Sequence, residues 1–415
     1  AVSPSGERGP GRTVEVHRYT RPFLPDITRS VSILAVLAAA VAGLGLGAYW
    51  LTASSGEAEL QTSVSVSEAM AGDTTGYRRA TAPRAFTFPE DYGPHPGYKT
   101  EWWYVTGTLS GPDAQPYGYE LTIFRTGLTP PDEAPDSPPA GWRTNQLYLA
   151  HFAVTDGATE EFHAFERFQR GGAGLAGAQS SPFRVWLDDW SMTGPDSSAF
   201  PLRLRAQQEG IGIDLALRPT KPRVLQGDRG LSQKGPGGGN ASYYYSYTRL
   251  ATEGTLVLSG DTLSVTGNSW MDREWSTSAL GPDQEGWDWF SLQLDDGRDL
   301  MYYQLRRTDG TPSRFSEGVI VGPDGATQTL DRSDVSVEVL ETWTSPDGTH
   351  TYPVDWTLRV PDEDIDLRIT PLFPDQELDV SVRYWEGFVR VKGSATGRGY
   401  VEMTGYGDSP GSPVS

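Results

Sequence analysis

Glu101-Trp102-Trp103-Tyr104-Val105-Thr106 is the stretch on which the reading of the fold turns. Extended backbone sends successive side chains to opposite sides, so Trp102, Tyr104 and Thr106 share one face while Glu101, Trp103 and Val105 share the other. Aromatic and β-branched residues suit a pleated surface, which marks the segment as a strand. After the turn signal Gly111-Pro112-Asp113, Tyr119 to Phe124 reads as a second strand, and Leu147 to Val154 is apolar on both faces, as in a strand covered on two sides. Further strands are expected at 184–187, 202–206, 213–217, 243–249, 254–258, 263–267, 287–294, 300–306, 335–343, 356–360, 367–371 and 380–385. Asp296-Gly297, Asp309-Gly310, Asp324-Gly325 and Asp347-Gly348 separate several of them, and Asp-Gly favours hairpin turns. No long amphipathic helix is evident after Leu51. Many short strands joined by tight turns describe an all-β barrel or sandwich.

Composition agrees with a folded aromatic body. The 415 residues include 13 Trp and 19 Tyr, far from the aromatic-poor character of disordered chains. Cysteine is absent, which removes disulfides, thiolate metal sites and cysteine nucleophiles. A formal charge of −20 argues against nucleic acid as a partner, because phosphate binding requires a basic surface.

The N-terminal region has a different character. Residues 1–30 form a basic tail with Arg8, Arg12, Arg18, Arg21 and Arg29, and 31–51 is uncharged and apolar over a length that matches a bilayer core. The positive-inside rule leaves the tail in the cytoplasm and exports the rest. The expectation is a single-pass bacterial inner-membrane anchor with the body in the periplasm or outside the cell. A cleaved export signal is the alternative. Residues 52–84, rich in Ser, Thr, Ala, Gly and Glu, read as a linker. Thr129 to Ala140, with five prolines, reads as a loop over the surface or a pocket mouth, and Gly235 to Gly239 as a flexible loop.

His95-Pro96-Gly97-Tyr98-Lys99-Thr100-Glu101-Trp102-Trp103-Tyr104-Val105-Thr106-Gly107 resembles the signature of the carotenoid 1,2-hydratase (hydroxyneurosporene synthase) superfamily, in particular its AttH-like branch of exported hydrolases. Leu149 to Ala153, Asn240 to Ser246, Ser269 to Ser276, Gly286 to Phe290 and Tyr384 to Gly387 match in order, so the resemblance covers nearly all of Phe86 to Tyr406. It implies two consecutive lipocalin-like (calycin) antiparallel β-barrels, at 85–282 and 283–408. It also implies an apolar isoprenoid or lipid ligand, hydration of a terminal C=C, no cofactor, and association with an ABC-type transporter.

Hydrating an isolated alkene requires a strong acid in a dry pocket, and a desolvated carboxylic acid can stay protonated near neutrality. Trp270-Met271-Asp272-Arg273-Glu274-Trp275 supplies carboxyls and aromatic rings together. On a strand Asp272 and Glu274 share a face opposite Arg273, and neighbouring carboxyls raise one another's pKa. The resemblance carries the proton donor onto Asp272 through Trp270-x-Asp272, with Glu274 beside it and Trp270 and Trp275 lining the site. An Asp-Arg-Glu turn closed by a salt bridge is the alternative. Where the hydratases carry His-x-Trp, this chain has Tyr243-x-Tyr245. Trp102, Trp287, Trp289 and His151 complete the candidate ligand-binding set, each equally readable as core; Glu101 and the Trp385-Glu386 pair read as core or pocket wall. Five histidines with no i,i+4 pair give no zinc signature, and G-x-S-x-G is absent. Three readings follow: an acid-catalysed hydratase, a non-catalytic lipid carrier, and an accessory subunit of an export system.

Overall fold

The computed structural model describes residues 73–131, 144–195, 198–277, 280–281 and 283–407. The apolar segment 31–51 and most of the proline-rich loop lie outside the described residues. No helix among the described residues is long and apolar enough to cross a membrane.

Two antiparallel sheets account for almost all regular structure. The first opens with β1 (Thr100–Ser110), β2 (Pro116–Gly127), β3 (Gln146–Asp156) and β4 (Glu161–Arg170). It continues through β5 (Ala176–Ser180), β6 (Phe183–Leu187), β7 (Trp190–Thr193), β8 (Leu202–Gln208) and β9 (Ile211–Pro219). The short β10 (Val224–Leu225) and β11 (Leu231–Gln233) precede the long β12 (Ala241–Leu258) and β13 (Asp261–Ser276). The strand order is β4-β3-β2-β1-β13-β12-β9-β8-β7-β6-β5, with β10 and β11 paired to β12. The sheet curls until β6 packs against β2, β3 and β4. Side chains span the remaining gap: Arg167 Nε on β4 donates to Gln208 Oε1 on β8 at 3.0 Å.

The second sheet holds β14 (Gln284–Leu294), β15 (Asp299–Arg307), β16 (Glu317–Val321), β17 (Thr327–Asp331) and β18 (Ser336–Thr344). Its remaining strands are β19 (Thr351–Val360), β20 (Ile365–Pro371), β21 (Glu377–Leu378), β22 (Tyr384–Gly393) and β23 (Gly397–Met403). They run β17-β16-β15-β14-β23-β22-β20-β19-β18, with β21 on β22. All four Asp-Gly pairs fall between consecutive strands, and Gly297, between β14 and β15, takes the left-handed φ of +91° that its turn needs.

The larger apolar clusters follow from this layout. Trp103, Ile123, Phe152, Tyr245, Met271 and Trp275 fill the first curled sheet. Phe290, Tyr302, Trp356, Trp385, Val389 and Val401 fill the second. Between the sheets, Tyr104, Tyr244, Trp270, Trp289, Tyr303 and Phe388 form a third. A buried ion cluster also joins them: Lys221 Nζ lies 2.8 Å from Asp299 and donates to Gly297 O at 2.6 Å, while Arg249 pairs with Asp299 at 2.6 Å.

The structure corrects the strand reading in places. The segments expected at 243–249 and 254–258 are one strand, β12, and 263–267 belongs to a β13 that runs on through Ser276. Residues 380–383 are a loop instead of a strand, because Arg383 folds back onto Asp379 and also onto Asp347 at 2.5 Å. The edge strand β4 escaped the pattern because its residues are mostly half-exposed and mix Phe, His, Glu and Arg.

Candidate active site between the sheets

β13 pairs with β1 on one side and β12 on the other, so Asp272 stands opposite both Tyr104 and Ser246. Residues directly opposite in antiparallel strands bring their side chains together, and three donors converge on this carboxyl. Ser246 Oγ donates to Oδ1 at 2.5 Å, Trp270 Nε1 donates to Oδ1 at 2.8 Å, and Tyr244 OH donates to Oδ2 at 2.6 Å. Trp289 Nε1 in turn donates to the Tyr244 hydroxyl at 3.3 Å from the second sheet. Burial pushes the Asp272 carboxyl up to about 7, against the pull of its three donors and with a small push from Glu274. Glu274 shares that face, and burial raises it too, opposed by the Lys234 ammonium 3.8 Å away.

Both residues open onto a cavity of about 410 Å³ between the two sheets. Trp102, Tyr104, Tyr244, Trp287, Trp289 and Tyr303 give it aromatic walls. Two further wall carboxyls come from distant strands, Glu120 on β2 and Glu402 on β23. Burial and the neighbouring Glu120 charge lift Glu402 to about 8, while Trp287 Nε1 donates to it at 2.9 Å. Glu402 stands directly opposite Glu386, which takes a 2.6 Å hydrogen bond from Tyr104 OH across the sheets. Burial, then the Glu120 and Glu402 charges, place Glu386 well above the usual carboxylate range. Glu120 accepts from Tyr384 OH at 3.0 Å and is itself raised by burial.

The other face of β13 is built oppositely. Arg273 Nη2 donates to Glu101 Oε2 at 2.5 Å, Arg125 Nε pairs with Oε1, and the His95 amide donates to both oxygens. Burial alone would raise the Glu101 carboxyl, but the two guanidiniums and His95 hold it well below the ordinary value. His95 stacks on Trp275 with ring centres 3.7 Å apart.

Asp272, Glu274, Trp102, Trp287, Trp289 and His151 therefore meet at the cavity wall. Trp270 stands behind Asp272 and holds it through Nε1. Trp275, Tyr243 and Tyr245 face the first core, on the opposite side of their strands. The segment is strand and not an Asp-Arg-Glu turn. Sequence reasoning missed Tyr244, Ser246, Tyr384, Glu120 and Glu402. A lone acid inside an otherwise apolar strand, as in Tyr119-Glu120-Leu121, was the available signal for the last two. Among the described residues no group of three or more His, Cys, Asp or Glu is arranged to hold a metal ion.

The AttH-like family model matches residues 79–406. A crystal structure of an AttH protein from Nitrosomonas europaea superposes with a TM-score of 0.69 at 36% identity, covering 78% of this chain and 99% of the other. Kievitone hydratase from Nectria haematococca superposes with a TM-score of 0.59 at 18% identity, covering 79% of this chain and 98% of the other, which extends the likeness of fold. No curated protein matches the chain.

Proposed function

The chain belongs to the AttH-like family, and from that premise we propose that it adds water to a carbon–carbon double bond of an apolar isoprenoid or lipid held between two lipocalin-like barrels. The observation that carries this reading is Asp272: a buried carboxyl on an aromatic-walled cavity, raised to about 7 by burial, so that it holds its proton near neutrality. Kievitone hydratase, by its name an enzyme of this reaction class, has the same fold and supports the reading.

In the proposed step the Asp272 proton adds to one alkene carbon and the π electrons form the new C–H bond. The other carbon becomes a cation beside the faces of Trp102 and Trp289, whose quadrupoles attract positive charge. The donors from Ser246, Trp270 and Tyr244 stabilise the carboxylate left behind. Water then bonds to the cation and surrenders a proton to the Asp272 carboxylate, so that alkene plus water gives an alcohol and the acid is restored. The reverse path is dehydration.

A carrier role is the second reading. Phe168, 60% exposed, lies at the cavity wall and offers an apolar entry for lipid. The uncharged 31–51 segment supports a membrane tether, which would keep the cavity near its ligand source and near an ABC-type transporter. To separate the readings, the protein is purified, its co-purifying lipids are identified by mass spectrometry, and acyclic isoprenoids are offered in ¹⁸O-labelled water. Incorporation of ¹⁸O that falls by about 10²- to 10⁴-fold in Asp272→Asn supports the hydratase. Binding without incorporation favours the carrier.

A further inference from the structure

A second line of contacts runs along the cavity wall toward solvent. Glu120 lines the cavity and is 1% exposed. Tyr384 OH donates to its Oε1 at 3.0 Å, His151 Nδ1 lies 2.8 Å from the same hydroxyl, and His151 Nε2 lies 3.1 Å from Glu166 Oε2. The Glu166 side chain is 22% exposed and also accepts from Ser381 Oγ at 2.5 Å. The four groups come from three strands of the first sheet and one of the second, with His151 directly opposite Glu166 in the β3–β4 ladder. A continuous hydrogen-bonded row thus joins a partly exposed acid to a buried acid at the cavity wall.

We propose that Glu166, His151 and Tyr384 form a proton relay between solvent and Glu120. The relay rests on the reading of the cavity as an acid–base site. With Glu120 ionised, Tyr384 donates to Glu120, so His151 Nδ1–H donates to the Tyr384 oxygen. A proton taken up at Glu166 passes to Nε2 and gives an imidazolium paired with the Glu166 carboxylate. The Nδ1 proton then moves to the Tyr384 oxygen as the Tyr384 proton moves to Glu120. The products are neutral His151 with Nε2–H, an intact Tyr384 hydroxyl and protonated Glu120; one proton has entered and the hydrogen bonds have reversed direction. Histidine suits this task because its two nitrogens can take up and release protons separately near neutral pH.

The charged and titratable surroundings fit transfer in this direction. Facing His151 are Glu120 from β2, Glu166 from β4 and Tyr384 from β22, with Phe124 edge-on at 5.5 Å. Glu386 and Glu402 adjoin Glu120 from the second sheet and are raised by its charge, while burial raises Glu120 itself against the pull of His151 and the bonds from Thr122 and Tyr384. Among the described residues no arginine or lysine is bonded to Glu120, in contrast with Glu101.

The test needs no substrate. Protein in H₂O is diluted into D₂O and the infrared C=O band of protonated Glu120, identified by its loss in Glu120→Gln, is followed in time. Exchange in His151→Phe and in Tyr384→Phe is expected to slow by about 10-fold or more, and to be unchanged in Asp272→Asn. Equal exchange rates in wild type and both relay variants overturn the proposal, as does a Glu120 that carries no proton between about pH 5 and 9. If circular dichroism shows His151→Phe unfolded, His151→Gln takes its place with the same expectation. Loss of the hydratase reading would appear separately, as ¹⁸O incorporation that survives Asp272→Asn.

Discussion

The two faces of β13 bury charge in opposite ways. Inward, Arg273 meets Glu101, which is shared with Arg125 and His95, so acid and base neutralise each other beside the Trp103 and Trp275 rings, where Glu101 and Arg125 border the cavity. Outward, Asp272 and Glu274 join Glu120 and Glu402 at the cavity wall, where Lys234 is the lysine present, and Glu386 lies buried opposite Glu402. The guanidiniums depress the inner acid against its burial, whereas the outer acids, with no such partner, are raised by theirs. A difference of one residue along the strand separates a structural ion pair from a carboxyl raised by burial.

Breaking the inner face should have the largest effect. Arg273→Met leaves Glu101, 0% exposed, with Arg125 and His95 but without its second guanidinium, and a loss of about 3–5 kcal/mol is expected in denaturant unfolding. An equal effect from Glu274→Gln would remove the contrast between the faces.

The pH dependence of stability sharpens the comparison. Glu101 is depressed, so its contribution is present above its unfolded value near 4.3 and is lost as pH falls through the folded value. Asp272 is raised from 3.8 to about 7, so stability is intact below the lower value and declines as pH rises between the two. Three units correspond to about 4 kcal/mol as an upper bound. The stability of wild type relative to Asp272→Asn is therefore expected to fall by up to about 4 kcal/mol between about pH 4 and 8, as measured by urea midpoints at each pH.

Smaller changes probe the seam and the mouth. Tyr104→Phe removes one buried hydrogen bond between the sheets, the one to Glu386, and should cost about 1–2 kcal/mol. Phe168→Ser, at a 60% exposed site, should alter the unfolding free energy by less than about 0.5 kcal/mol while weakening retention of a co-purified lipid.

Period-two alternation made part of this legible. Glu101 and Trp103 do oppose Trp102 and Tyr104, and Asp272 and Glu274 do share a face against Arg273. What alternation leaves open is which face meets a core and which meets the second sheet, because both sides of β1 and β13 are buried. The resemblance points to Tyr243 and Tyr245, whereas their neighbours Tyr244 and Ser246 are the residues that bond Asp272. Glu120, Glu402 and Tyr384 are single polar residues on strands far apart in sequence, and only the packing of one sheet on the other brings them together. Residues 380–383 misled because Val380 and Val382 alternate as a strand would, while the ion pairs of Arg383 decide the local path.

Whether Asp272 bears its proton near neutrality is read from its own titration. Infrared difference spectra of wild type minus Asp272→Asn, recorded across pH, isolate the protonated carboxyl of this residue. The arrangement between the sheets predicts a band lost with a midpoint near about 7. A carboxyl already ionised at about pH 5, like an ordinary exposed aspartate, would contradict it.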